Sequence, residues 1–167
     1  MENEACLVLI KPDGLQKSIT GDILIKLATA NLKIIASKVV CVDDDLASQH
    51  YSELKEEKPE IYAETAKYIK GHYHTNRVLA FVYYGENAIS KIRVLAGATN
   101  PEKAHPSTIR GKFGRVHSET GIWENCIHAS DSIDNAEREI KLWFAPEEIV
   151  EDLFQTKESE ESSTKKI

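Results

Sequence analysis

One stretch restricts the fold of this chain more than any other: Asn125-Cys126-Ile127-His128-Ala129-Ser130-Asp131-Ser132. Its first half closes an apolar, strand-like run from Ile122 to Ala129. Its second half, two serines around an acid, carries the side chains that satisfy free N–H groups at helix starts. A strand must therefore pass almost directly into a helix, and Ile133, Ala136, Ile140 and Trp143 then repeat at helical spacing, with Ser132 or Asp131 placed to cap. A chain committed to that junction belongs among folds that cover a sheet with helices. The same reading puts His128 at a strand-to-helix turn whose backbone N–H groups favour anions, where an imidazole is a candidate nucleophile toward phosphate.

A second apolar run, Ala5 to Ile10, reads as a buried strand that delivers Lys11 into the tight turn Lys11-Pro12-Asp13-Gly14. Between the two runs the spacing predicts a helix over 21–31, with Ile23, Leu24, Leu27 and Ala28 on one face and Asn31 ending it. It then predicts a strand over 33–42, helices over 45–54 and 59–70 with Pro59 in a first turn, a strand over 77–84 and a helix over 87–95. Residues 97–121 form a long Gly, Pro and Thr rich excursion, and loops of that length usually have a function. A short helix is expected over 146–154. From Gln155 onward the chain is almost entirely Ser, Thr, Glu and Lys, too polar to bury enough to order itself. The expected division is one domain over 1–154 and a disordered tail over 155–167. Pattern alone supports an α/β or α+β domain and does not fix strand order.

At 167 residues one domain can bury a core without disulfides or metal. Cys6, Cys41 and Cys126 lie in apolar runs without CxxC spacing and read as small buried hydrophobes, although Cys126 lies close enough to His128 to be considered for redox chemistry. The start Met1-Glu2-Asn3-Glu4 lacks a basic, apolar leader, and no apolar run approaches membrane-spanning length, so a soluble cytoplasmic protein is expected, with no membrane partner. The net charge of −6 argues against a broad grip on nucleic acid. A polyanionic substrate must instead meet a local cluster, for which Lys11, Arg93, Arg110 and Arg115 are candidates.

Two further segments follow Arg93: Ala96-Gly97-Ala98-Thr99-Asn100-Pro101 and Thr108-Ile109-Arg110-Gly111. With the lysine turn and the histidine stretch they make four ordered motifs over roughly residues 5 to 150, and together they resemble the nucleoside diphosphate kinase family. The resemblance implies an α+β, ferredoxin-like four-stranded antiparallel sheet covered by helices, with the long loop before the last strand packing near the site. It also implies a ping-pong reaction: a nucleoside triphosphate phosphorylates His128, and a nucleoside diphosphate collects the phosphate. A histidine can do this near neutral pH when its second nitrogen is held by a carboxylate, and the resemblance assigns that role to Glu139. Lys11, Arg93, Thr99 and Arg110 match the family's phosphate and sugar contacts, Asn125 the ribose contact, and Tyr51 a tyrosine bordering the phosphate. Three positions before His128 in a strict strand, Asn125 would face the wrong way, so it must sit in a loop.

The family's aromatic base platform is shifted here in Pro59-Glu60-Ile61-Tyr62, leaving Ile61 or Tyr62 to stand in, and stacking of that kind leaves base choice loose. The resemblance further implies Mg2+ bound mainly through nucleotide phosphates, no protein metal ligands, and a homo-oligomer, with a hexamer favoured over a tetramer or dimer. Departures are Ala129 where many relatives have glycine, and longer segments at 71–77 and 111–125.

Other chemistries fit less well. His128, Ser130 and Asp131 are too close in sequence to converge as a hydrolase triad, and no G-x-S-x-G elbow occurs. No G-x-x-x-x-G-K-[ST] occurs either, which excludes a P-loop. His72 and His74 read as polar surface rather than a metal clamp, and His105 and His117 as loop residues. The alternative class is a ferredoxin-like nucleotide- or RNA-binding regulatory module without turnover. RNA recognition would need an aromatic strand motif and a basic sheet face, neither of which is evident, so no nucleic acid is expected.

Overall fold

The computed structural model describes residues 3–153; Phe154 and the expected tail, 155–167, lie outside the described residues. The N-terminal apolar run forms β1 (Asn3–Ile10), followed by α1 (Pro12–Gln16), α2 (Thr20–Ala28) and β2 (Lys33–Val40). Then come α3 (Asp44–His50), α4 (Ser52–Glu57), α5 (Pro59–Ile69), β3 (Val78–Glu86) and α6 (Ala88–Ala96). The second half contains α7 (Ile109–Phe113), β4 (Arg115–Val116), β5 (Trp123–Glu124), β6 (Ile127–Ala129) and α8 (Ile133–Trp143).

The main sheet has the order β2-β3-β1-β6, and every pairing is antiparallel. This is the expected four-stranded α+β arrangement. From Ala5 onward β1 is apolar because helices cover both faces of the sheet. On one face Cys6, Val8 and Ile10 pack with Ile23 and Leu27 of α2 and Ile89 and Ile92 of α6. On the other, Leu7 and Leu9 pack with Ala47 of α3, Ala66 and Ile69 of α5, and Ile140 and Trp143 of α8. Each such aliphatic side chain taken fully out of water contributes roughly 1.5–3 kcal/mol, so the central strand alone anchors both layers.

Several boundaries differ from the sequence reading. The helix expected over 45–54 is two helices, broken at Tyr51 (φ −104°, ψ 32°). No Gly or Pro marks that break; the adjacent rings of His50 and Tyr51 both pack inward, which a regular helix turning about 100° per residue does not favour. The strand expected over 122–129 is interrupted at Cys126, whose backbone is left-handed (φ 66°). Only Ile127–Ala129 joins the main sheet, while Trp123 and Glu124 pair with Val116 and Arg115 in a separate hairpin. The long excursion is thus structured, by a 3-10 turn at Pro101–Lys103, by α7 and by this hairpin. The helix expected over 146–154 reduces to a 3-10 turn at Pro146–Glu148. Cys41 is exposed rather than buried, because β2 ends at Val40 and the chain there turns toward α3.

Candidate active site

His128 does not sit on the turn before the helix. It lies in the middle of β6, opposite Leu9 of β1, and the turn begins only after Ala129. Because Ile127 and Ala129 pack into the layer beneath α2 and α6, alternation sends the imidazole to the other face, toward α3 and α8. The side chain is 19% exposed, so the ring is reachable from solvent while most of it is walled in.

Its Nε2 lies 3.0 Å from Glu139 Oε2 on α8. The same carboxylate oxygen accepts the hydroxyl of fully buried Ser130 at 2.6 Å, and Ser130 Oγ in turn accepts the backbone N–H of Leu7 at 3.1 Å. An ionised carboxylate only accepts, so Nε2 carries the ring proton and Nδ1 keeps its lone pair. α8 is held in place by Ser132, whose side chain accepts from Asn135 N as the sequence predicts. Asp131 is exposed and bonds Asn135 instead of joining a triad.

The left-handed turn at Cys126 builds the next part of the site. Ile127 N donates to Asn125 O at 2.7 Å across it, and Lys11 N donates to Cys126 O at 2.8 Å. A non-glycine residue in this region costs of order 1–3 kcal/mol, which the packing on both sides must offset. The kink takes Asn125 out of strand geometry, as its position required. Asn125 Oδ1 then accepts from Lys11 Nζ at 2.9 Å, and its Nδ2 donates to the carbonyl of Thr99 at 2.9 Å.

Lys11 stands at the N-cap position of α1 without a side-chain capping bond and is only 7% exposed. Its Nζ stands 5.3 Å over the ring of Tyr68. Burial, with Arg110 nearby, pushes its pKa down to about 8. Arg110, on α7, donates to Gly97 O at 2.8 Å and to Ile127 O, next to His128, at 3.0 Å. Burial and the charge of Arg93 bring its pKa down to about 10, so it remains a cation at neutral pH. Its Nε is buried without a partner, as is the hydroxyl of Tyr51. Burial, reinforced by Glu139, keeps that phenol protonated. Gly97 has φ +86°, and a Cβ there would run into the Thr108 side chain, so the position requires glycine.

Not every expected residue joins this group. Thr99 is exposed and reaches it through its carbonyl, and Arg93 is exposed on α6 at the periphery. Arg93 lines a surface cavity of about 670 Å³ with Gly97, Ala98, Asp131 and Ser132, and His128 is not among the lining residues. Arg115 is not a free member of the cation cluster: its guanidinium pairs with buried Glu124 at 2.5 Å across the hairpin. His74 is not plain surface, since its Nε2 lies 3.0 Å from the same carboxylate, off the line of a hydrogen bond, and its ring meets Tyr68 edge-on. Of the two candidate base contacts, Tyr62 packs against the core and Ile61 faces solvent. Ala129 ends strand β6 and is not among the residues of positive φ, so the missing glycine is tolerated.

Sequence reasoning missed the floor beneath Lys11. Asp13 is fully buried and accepts both the hydroxyl of Tyr68 and the thiol of Cys126, the latter at 3.2 Å. Burial and Asp13 push the Cys126 thiol up, which leaves it a hydrogen-bond donor rather than a redox group. Lys-Pro-Asp-Gly carries a signal for this, an acid in a first helical turn, but nothing in sequence names Tyr68 or Cys126 as its partners. Also missed were Ser130 as support for Glu139, and the wall formed by His50 and Trp143.

Known proteins of similar sequence and fold bear on this geometry. A family model described as nucleoside diphosphate kinase matches residues 4–149. The chain is 42% identical over 147 residues to a nucleoside diphosphate kinase of Archaeoglobus fulgidus, covering 88% of this chain and 90% of the relative. It is 38% identical over 149 residues to nucleoside diphosphate kinase A of Canis lupus familiaris, covering 89% and 91%. Among solved structures it resembles the Borrelia burgdorferi nucleoside-diphosphate kinase described as a transition state mimic with vanadate and ADP, with TM-score 0.78 and 33% identity over 91% of this chain and 93% of that one. It likewise resembles the halophilic enzyme of Halobacterium salinarum in complex with CDP, with TM-score 0.77, 35% identity and coverage of 92% and 95%. Among the described residues no helix is long and apolar enough to cross a membrane. The chain belongs to the nucleoside diphosphate kinase family, and it is an enzyme that transfers the terminal phosphate of a nucleoside triphosphate to a nucleoside diphosphate.

Proposed function

We propose that this kinase works by a ping-pong mechanism in which Nδ1 of His128 carries the phosphoryl group. The observation behind this is the contact of Nε2 with Glu139 at 3.0 Å, which leaves Nδ1 as the nitrogen with a free lone pair on a partly exposed ring. Nδ1 attacks the γ-phosphorus, the N–P bond forms as the bond to the β-bridging oxygen breaks, and the diphosphate leaves with that electron pair. A second diphosphate reverses the step in the same site. Glu139 stabilises the positive charge that the ring acquires, and Ser130 keeps the carboxylate aimed.

Charge on the transferring group is met by Lys11, Arg110 and the Tyr51 hydroxyl, whose buried, unpartnered or weakly solvated donors are already in place before substrate arrives. Arg93 and Thr99 contribute at the outer phosphates, and Asn125 at the ribose. Ile61, the solvent-facing one of the pair, supplies an apolar surface to the base. Mg2+ fits as a partner of the nucleotide rather than of the protein: Asp13 is committed to Tyr68 and Cys126, and Glu139 to Ser130 and His128, so neither acid is open to it. When bound with nucleotide the ion neutralises phosphate charge.

The catalytic unit is residues 1–154 of a cytoplasmic protein. It assembles as a homo-oligomer, a hexamer in preference to a tetramer or dimer. Support comes from β2, an edge strand of the main sheet, and from the exposed apolar side chains Ile25, Ile34 and Val39 on it and on α2. Incubation with γ-labelled ATP is expected to leave acid-labile, base-stable label on the protein, discharged by ADP and absent from His128→Ala. Label that persists in His128→Ala, or nucleotide binding without ADP-dependent discharge, overturns the mechanism.

A further inference from the structure

His50 forms part of the inner wall and has no role in the mechanism above. It is 4% exposed, ends α3, and stands with its ring centroid 4.6 Å from that of His128 at an interplanar angle of 75°. One ring nitrogen of His50, one of His128 and a carboxylate oxygen of Glu139 lie within 4.8 Å of one another, which is the composition of a transition-metal site. Trp143 decides against that reading. An indole N–H only donates, and Trp143 Nε1 donates to His50 Nδ1 at 3.1 Å. Nδ1 is therefore occupied as an acceptor, and Nε2 must carry the proton. Neither nitrogen has a lone pair for a metal unless the indole bond breaks or two N–H groups are set face to face.

The charged and titratable groups around the ring favour its neutral form. Burial, followed by His128, Lys11 and Arg138, holds His50 well below the usual histidine range, and its Nε2 has no partner. Tyr51 packs edge-on to it at 4.6 Å, with its phenol protonated. Neutrality has a consequence at His128. A phosphorylated imidazole that keeps its Nε2 proton is cationic, and a second cationic ring against it would raise the energy of the intermediate.

We propose that His50 is a positioning residue for the phosphate carrier: fixed by Trp143 as the Nε2–H tautomer, it walls the slot in which His128 keeps Nε2 on Glu139 and Nδ1 free. The inference rests on His128 being that carrier. In the full chain labelled with 15N-histidine, His50 is expected to show a bare Nδ1 and a protonated Nε2 without titrating near neutral pH, and His128 a dominant Nε2–H form. In Trp143→Phe the His50 tautomers mix and the His128 ring loses its single form. The rate of labelling by γ-labelled ATP falls about tenfold while nucleotide KM stays within about twofold. Should Trp143→Phe fail to fold, His50→Asn keeps an acceptor for the indole but removes the ring, and the same losses are expected.

A protonated Nδ1 on wild-type His50 would overturn the proposal. So would a variant that lowers only the melting temperature, with the His128 tautomer and labelling rate unchanged. Zn2+ binding that is retained at micromolar metal and lost in His50→Asn would replace it with the metal site. A wild-type protein that takes no label on His128 refutes the carrier assignment instead, and the tautomer measurement then still judges the geometry of His50 by itself.

Discussion

In the proposed mechanism Glu139 selects which nitrogen of His128 is nucleophilic, through one carboxylate oxygen that also accepts from Ser130. Glu139→Gln keeps an acceptor for both donors but loses the charge that stabilises the cationic ring, whereas Glu139→Ala also frees the ring to rotate. Single-turnover phosphorylation is expected to slow about tenfold in the first variant and about a hundredfold in the second. Equal losses in the two would mean that orientation, not charge, is the larger part. Lys11 makes a second residue-level prediction. In its proposed role the ammonium would grip phosphate only when protonated, and burial has brought its pKa down to about 8, so kcat/KM should fall as pH rises through that value. Lys11→Arg, which cannot deprotonate in this range, should lose that limb whatever its absolute rate. The sign for stability is the opposite: the buried charge is a cost below about 8, and the fold gains stability as pH rises from there toward the ordinary lysine value.

At the scale of elements, the segments 71–77 and 111–125 meet each other. Glu124, at the end of β5 and next to Asn125, is 2% exposed and is approached by Arg115 of β4, by Lys17 at 3.5 Å and by His74 from the 71–77 segment. Burial pushes its carboxyl upward, but Arg115, Lys17 and His74 outweigh that and hold it below the usual glutamate range. Its stabilisation is therefore present above the ordinary glutamate pKa and is lost as pH falls through the lowered one. Glu124→Ala should cost about 2 kcal/mol, less than a fully buried pair because Arg115 is more than half exposed and stays solvated. Amide exchange in the β4–β5 hairpin should quicken, with nucleotide KM rising through Asn125. Protection that stays at the wild-type level would show that the hairpin stands without this cluster. The elements themselves were largely legible: β1, β2, β3, α5, α6 and α8 follow from periodicity and capping residues. The break at Tyr51 and the kink at Cys126 were not, because each is a local departure imposed by what the neighbouring side chains meet in the core.

At the scale of the whole molecule, the sheet leaves β2 at an edge, with apolar side chains exposed on it and on α2. Light scattering of the purified protein is expected to give a mass about six times that of the 18.7 kDa chain. Val39→Lys, which places a charge on that strand, should shift it toward smaller species with the phosphohistidine step preserved. A wild-type mass equal to one chain would remove the assembly proposal while leaving the site chemistry untouched.

The sequence by itself determined most of the order of strands and helices, the apolar faces of the main helices, and the set of motifs that identify the family. These depend on periodicity, capping chemistry and the spacing of residues close together in the chain, all local quantities. Only the tertiary structure decided that His128 lies within a strand facing α3 and α8, that Cys126 bends the chain so Asn125 can bridge Lys11 and Thr99, and that Arg115 is spent on Glu124. It alone paired Trp143 with His50 across 93 residues. Those outcomes depend on which side chains from distant segments arrive together in a space without water, where every polar atom needs a partner, and no local pattern encodes that meeting.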